Sequence, residues 1–308
     1  MRKAIIVLIF LIQVFCTAQE EQTQISYVKS NGVDIKYEVR GHGIPVLIIN
    51  GGPGFNSQGF GPLADEISKM GVKTILFDQR GTGQSKMYEV NADNMTLKLM
   101  VEDIEAIRKD LGIKQWVILG HSFGGMLGSY YSAMHKDKVM GLILSSSGGL
   151  DLSLLGETAS RLESKLEPSD VDSLRFWRRA YAESQDTLDQ NRFHYFLAKA
   201  YVKSPKYYAT VAERLGQGNM QINRLIWQNM QTINYDLKNS FSDFDAPVLI
   251  LQGEDDILSK SVAKNANRVF KNSKLIFVNN SAHYGWLDNP DYYYSSIRNF
   301  LNQPIFKS

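Results

Sequence analysis

Cysteine is almost absent: the 308 residues contain one, Cys16. It lies in an opening segment whose pattern marks it for removal. Arg2-Lys3 is a basic start, Ala4 to Ile12 is unbroken apolar, and Cys16-Thr-Ala18 places small residues ahead of Gln19, the layout of a secretory leader cleaved after Ala18. The apolar stretch is short of the roughly 20 residues a spanning helix needs, so a membrane anchor is the weaker reading. A lipoprotein leader acylated at Cys16 needs a small residue before the cysteine, where Phe15 stands. Without residues 1–18 no cysteine is left, which excludes disulfides, a thiol nucleophile and thiolate metal ligands. The expectation is an exported protein, periplasmic or secreted, held folded by core burial alone and needing neither cofactor nor metal.

An excess of charge is lacking too. The leader carries two of the 34 basic residues and none of the 32 acidic ones, which leaves 32 of each and a mature net charge of zero with histidine neutral. That balance argues against nucleic acid or an acidic membrane as partner. No stable membrane insertion is expected after the leader is cleaved. Nothing in the residues speaks to oligomeric state.

Short β-branched runs are plentiful. Ile25–Lys29 and Asp34–Val39 flank Asn31-Gly32, a hairpin signal. Val46–Ile49, Thr74–Phe77, Trp116–Leu119, Gly141–Leu144, Val248–Leu251 and Leu275–Val278 are continuously apolar, as strands buried on both faces of a parallel sheet are. Helical patterns lie between them. Met95–Leu111 offers Leu97, Val101, Ile104 and Leu111 as its buried stripe, with Asp103 among the mixed faces. The alternation predicts a doubly wound α/β sheet. It breaks once, over Asp151–Ser242, where charged and aromatic residues recur at helical spacing, as in Arg175-Phe-Trp-Arg178 and Phe193-His-Tyr-Phe196. The predicted layout is a leader over 1–18, core over 19–150, a helical cap over 151–242 inserted after the sixth strand, and core again over 243–308.

Three places carry chemistry, each after a predicted strand, where ligands of open α/β sheets bind. In Gly120-His-Ser-Phe-Gly124 small flanking residues let a tight strand-to-helix turn lift the Ser122 hydroxyl clear of the sheet. A serine needs a base and the base an orienting acid. Of the five histidines, His283 sits in a loop after the last strand. His42 falls in a strand-connecting turn, His135 at a helix end, His194 in the insertion, and His121 too close in sequence to reach back to the serine. For the acid, Glu254, Asp255 and Asp256 all follow the strand Val248–Leu251, and the order serine, acid, histidine is that of α/β-hydrolases. Asn50-Gly-Gly-Pro-Gly54 is the third place, a turn whose N–H can meet a developing oxyanion. Its partner donor is the N–H of the residue after the nucleophile, Phe123.

With these residues in view, the sequence resembles the α/β-hydrolases of the proline iminopeptidase (prolyl aminopeptidase) group. That group shows H-G-G-P-G, D-Q-R-G-x-G-x-S, G-x-S-x-G-G, a G-x-x-D acid and a late histidine. Here they stand as Asn50–Gly54, Asp78–Ser85, Gly120–Gly125, Gly253–Asp256 and His283, over about residues 25–150 and 243–302. The resemblance implies an α/β-hydrolase fold, selects Asp256 over Asp255, and by analogy gives one oxyanion donor as the Gly52 backbone. Asp78 and Arg80 are expected to form a structural ion pair beside the site. Asn50 departs from the group's histidine. The resemblance also implies release of N-terminal proline from small peptides, with the free amine held by cap carboxylates. Glu157, Glu163, Glu167, Glu183 and Glu213 are the glutamates available, and no motif chooses among them. An esterase or lactonase for small apolar acyl groups keeps the same three residues. Epoxide hydrolase and dehalogenase chemistry needs an aspartate where Ser122 stands. A hydrolase-fold ligand-binding protein is the reading from another class.

Overall fold

Asn31 and Gly32 both take positive φ, 45° and 79°, the two-residue turn whose twist matches its flanking strands. They join β1 (Gln24–Ser30) to β2 (Val33–Arg40) in antiparallel register, Val28 opposite Ile35. The computed structural model describes residues 23–153 and 155–306, so the leader with Cys16 and its cleavage position lies outside the described residues. Then come β3 (Ile44–Ile49), α1 (Gly61–Ser68), β4 (Val72–Phe77), α2 (Leu97–Asp110), β5 (Trp116–His121), α3 (Phe123–Met134) and β6 (Val139–Ser145). Five helices follow: α4 (Thr158–Glu163), α5 (Pro168–Ser184), α6 (Thr187–Tyr201), α7 (Tyr208–Gly216) and α8 (Met220–Thr232). The chain returns to the sheet with β7 (Val248–Gly253), α9 (Lys260–Val269) and β8 (Ser273–Val278), and closes with α10 (Gly285–Asp288) and α11 (Pro290–Leu301).

The eight strands lie in the order β1-β2-β4-β3-β5-β6-β7-β8. The first two are antiparallel additions; every neighbouring pair from β4 to β8 is parallel. Continuous apolarity is explained by the pleat, which sends alternate residues to opposite faces. Leu47, Ile49, Ile118, Leu142 and Ile250 pack with α2, α3 and α9, whereas Val46, Ile48, Val117, Leu119 and Leu249 pack with α1 and α11. Each such side chain, taken out of water entirely, contributes about 1.5–3 kcal/mol.

Helix α2 starts one residue after Thr96, whose hydroxyl accepts from Leu99 N at 3.2 Å. Leu97, Val101 and Ile104 are buried as expected, while Leu111 follows the last turn and is half-buried. Asp103 was expected on a mixed face but is fully buried, because a guanidinium meets it there.

The cap packs thinly. In α5 only Leu174 is buried, and it joins Leu162 and Ala200 in a small cluster with Ile257 and Leu258 of the loop after β7. The stronger anchor is α8, whose Ile222, Ile226 and Met230 enter the main core.

Candidate active site

β5 ends at His121 and α3 begins at Phe123, so Ser122 is the corner itself. Its backbone sits at φ 55°, ψ −121°, a conformation costing a non-glycine residue about 1–3 kcal/mol. Neighbouring backbone holds it there: Ser122 N donates to Ser145 O at 3.0 Å, and Ser122 O accepts from Gly125 N at 3.0 Å and Gly148 N at 3.1 Å. Packing dictates the flanking glycines. A Cβ on Gly120 would lie 2.3 Å from Gly124 O, and one on Gly124 would lie 2.1 Å from Ile49 O.

His283 lies between β8 and α10, and its Nδ1 is 2.8 Å from Asp256 Oδ1, with both side chains buried. Asp256 Oδ1 also accepts from Leu258 N at 3.0 Å, which fixes the carboxylate before the imidazole reaches it. Bonding at Nδ1 leaves Nε2 for another partner. Ser122 and His283 line the same cavity, and no hydrogen bond joins their side chains among the described residues; such bonds commonly tighten only once substrate arrives. The two rival acids are elsewhere. Glu254 is exposed, and Asp255 pairs at the surface with Lys203, which lowers its carboxyl below the ordinary range.

The loop after β3 runs against the corner. Gly52 takes φ +71°, and a Cβ on Gly51 would lie 2.8 Å from Ser122 Cβ. Gly52 and Phe123 both line the cavity beside Ser122. Asn50 is fully buried and staples the loop, its amide donating to Phe55 O at 3.0 Å and Gly51 O at 3.2 Å.

One expectation is corrected. Asp78 and Arg80 do not pair: Asp78 accepts from the Ser57 backbone and hydroxyl at 2.9 and 2.7 Å and from Gln84 N at 2.9 Å. Arg80 instead forks onto Asp103 of α2, with both bonds at 2.7 Å. The reason is geometric. Residues 78–85 form a tight loop in which Gln84, together with Ser57 from the loop after β3, surrounds Asp78, while the longer Arg80 reaches across to α2. Burial raises the Asp103 carboxyl, against the pull of the guanidinium.

The cavity measures about 530 Å³ and is walled mainly by apolar side chains, among them Phe55, Phe123, Met126, Phe193, Met220 and Trp227. Among the described residues no aspartate or glutamate lines it. Glu157, Glu167, Glu183 and Glu213 are exposed, and Glu163 pairs with Arg175. The sequence reading missed Arg214 in the wall and set His121 aside. Arg214 is buried at the end of α7. His121 packs with its ring centroid 4.7 Å from that of His283 and is kept neutral by burial, with His283 and Arg214 adding to the effect. His194, first passed over as an insertion residue, is also in the wall, and burial lowers its pKa.

Comparison with known proteins agrees with this architecture. Residues 44–290 match the family model described as the alpha/beta hydrolase fold. A proline iminopeptidase of Saccharolobus solfataricus is 27% identical over 291 residues, covering 90% of this chain and 92% of that protein. Among solved structures, the Mycobacterium smegmatis proline iminopeptidase superposes with a TM-score of 0.73 at 21% identity, covering 92% of this chain and 99% of that one. An esterase from Rhodococcus superposes with a TM-score of 0.71 at 22% identity, covering 91% and 98%. At those identities the two structures speak to the fold alone.

Proposed function

The chain belongs to the α/β hydrolase fold family, and on that premise we propose that it is a serine hydrolase working through an acyl-enzyme. The observation that carries this reading is the strained Ser122 corner sharing a cavity with His283, whose Nδ1 is held by Asp256. Ser122 Oγ attacks a carbonyl carbon while His283 Nε2 takes its proton, and Asp256 keeps the imidazole in the required tautomer and stabilises its charged form. The N–H groups of Gly52 and Phe123 receive the oxyanion, each donor lowering the barrier by about 3–4 kcal/mol. The leaving group departs with the proton from His283, and water repeats the sequence to release the acid.

The cavity favours a small apolar acyl group joined to an alcohol. Aromatic and aliphatic walls suit such a group, and a free ammonium would enter a space lined, among the described residues, by one buried guanidinium and no carboxylate. Desolvating that ammonium without a counter-charge costs several kcal/mol. Release of N-terminal proline is the second reading, favoured by the named relative and by the fit of an apolar ring to the same walls.

One assay series separates them. On purified protein starting at Gln19, a short-chain aryl ester, a free proline arylamide and its N-acetyl form are compared, with Ser122→Ala as control. The ester should be cleaved, and Ser122→Ala should lower kcat by roughly 10⁶-fold. Cleavage of the free proline arylamide with the N-acetyl form refused and the ester poor would replace the first reading by the second. No turnover, together with no labelling of Ser122 by a fluorophosphonate, would leave a ligand-binding protein.

A further inference from the structure

Arg214 has no part in the chemistry described above, yet it is the one lysine or arginine in the cavity wall among the described residues. Its side chain is almost fully buried, no carboxylate forms an ion pair with it among the described residues, and burial lowers its pKa against the more distant Asp78 charge. Such a charge is costly unless polar groups receive it. Backbone carbonyls and two side chains do so: Nη2 donates to Gly51 O at 3.2 Å, Nη1 donates to Asn56 O at 2.7 Å and Gln217 Oε1 at 3.4 Å, and the Tyr284 phenol is a further partner. The guanidinium also lies 5.1 Å from the ring centre of Phe55 and 5.2 Å from that of Phe60, a cation–π arrangement.

The Gly51 carbonyl is not an arbitrary acceptor. It belongs to the same peptide unit as the Gly52 N–H. A guanidinium on the carbonyl draws density from the unit and fixes its plane, and linked hydrogen bonds of this kind strengthen one another by roughly 10–30% each. The Asn50 amide shares the same carbonyl at 3.2 Å. The rest of the glycine-rich loop hangs from the same stretch of cap, with Asn219 N donating to Gly54 O at 2.8 Å and the Asn223 amide to Pro53 O at 3.0 Å.

We propose that Arg214 is a positioning residue that acts from the cap, orienting and polarising the Gly51–Gly52 peptide so that its N–H meets the oxyanion. The inference rests on the acyl-enzyme reading and on Gly52 as an oxyanion donor. It makes the cap a contributor to transition-state stabilisation as well as to substrate choice.

The test compares wild type, Arg214→Met and Arg214→Lys on the short-chain aryl ester, alongside inhibition by an alkyl boronic acid that mimics the tetrahedral intermediate. Arg214→Met should lower kcat by about tenfold, less than the roughly 10²–10³-fold loss on deleting an oxyanion donor outright. Boronate affinity should fall by the same factor while KM stays within about twofold, the signature of an interaction made only in the transition state. Arg214→Lys, which keeps the charge but loses the planar fork, should fall between the two and carries the test if the methionine variant fails to fold. Unchanged kcat and boronate affinity, or a loss confined to KM, would overturn the inference. Fluorophosphonate labelling of Ser122 in wild type separates the levels. Labelled Ser122 with unaffected Arg214 variants sinks this inference alone, whereas an unlabelled Ser122 removes the acyl-enzyme reading and the inference with it.

Discussion

The central sheet and the cap hold themselves together by different means. All six residues of β5 are buried, whereas α5 spans seventeen residues and buries Leu174 alone. The sheet region carries a bidentate ion pair, Arg80–Asp103, with both side chains 1% exposed; the cap pair Arg175–Glu163 is open to water. Some of the cap's polar contacts reach the loops around the candidate site. Arg161 of α4 donates to the carbonyls of Asp256, Ile257 and Leu258, Arg214 of α7 donates to Gly51 and Asn56, and Tyr201 O accepts from His283 N at 2.9 Å. The difference teaches a division of labour. The sheet fixes where Ser122, Asp256 and His283 stand, and the lightly packed cap grips the backbone of the loops beside them.

The sharpest way to break that division is to remove one acid from the loop after β7. Asp256→Asn should lower kcat by about 10⁴-fold, since the imidazole then loses the partner that sets its tautomer. Asp255→Asn should change kcat little, because an exposed pair such as Asp255–Lys203 contributes about 0–1 kcal/mol. Steady-state kinetics on one ester decides it, and similar losses at both positions would mean that the loop, rather than one carboxylate, matters.

Stability offers the next contrast. Asp103→Asn leaves the Arg80 charge buried with a neutral partner and should cost about 3–5 kcal/mol. For a chain of this size that lowers Tm on the order of 10 °C. Glu163→Gln in the cap removes the exposed pair with Arg175 and should leave Tm unchanged within error. Thermal melts of the two variants beside wild type check both, and a large fall for Glu163→Gln would show that the cap is more tightly bound than its burial indicates.

The two regions also differ in how much of them could be read beforehand. Strands were legible because burial on both faces leaves a run such as Val248–Leu251 with no polar residue to blur it. Ser122 and His283 follow β5 and β8, so strand ends pointed to them, whereas the end of β7 left three acids and only the resemblance singled out Asp256. Asp103 was misplaced although a signal existed: an acid three residues after Met100 and four before Ile107 stands on the apolar stripe, and a buried acid needs a cation. Arg214 and Arg161 had no such signal. Their partners are backbone carbonyls of loops far away in sequence, and a carbonyl leaves no trace in residue identity.

The smallest effect concerns His121, where sheet and cap meet. Its ring packs against Phe60, His283, Tyr284 and Trp286, with the Arg214 charge close enough to disfavour protonation. Burial is the largest cause of its lowered pKa, so the folded protein resists a proton that the unfolded chain accepts near pH 6.5. The contribution is therefore fully present above about pH 6.5 and is lost as the pH falls below it, by up to about 1.4 kcal/mol per pH unit. His194 acts in the same direction. His121→Phe keeps an aromatic ring in place and removes the titration, so its Tm should fall less than that of wild type between pH 7.5 and 5.5. By the lower pH the difference should be about 1 kcal/mol, or roughly 2–4 °C. Parallel Tm-against-pH curves for the two proteins would show that the pocket between sheet and cap admits a proton in the folded state, and that the junction is more open to water than its packing indicates.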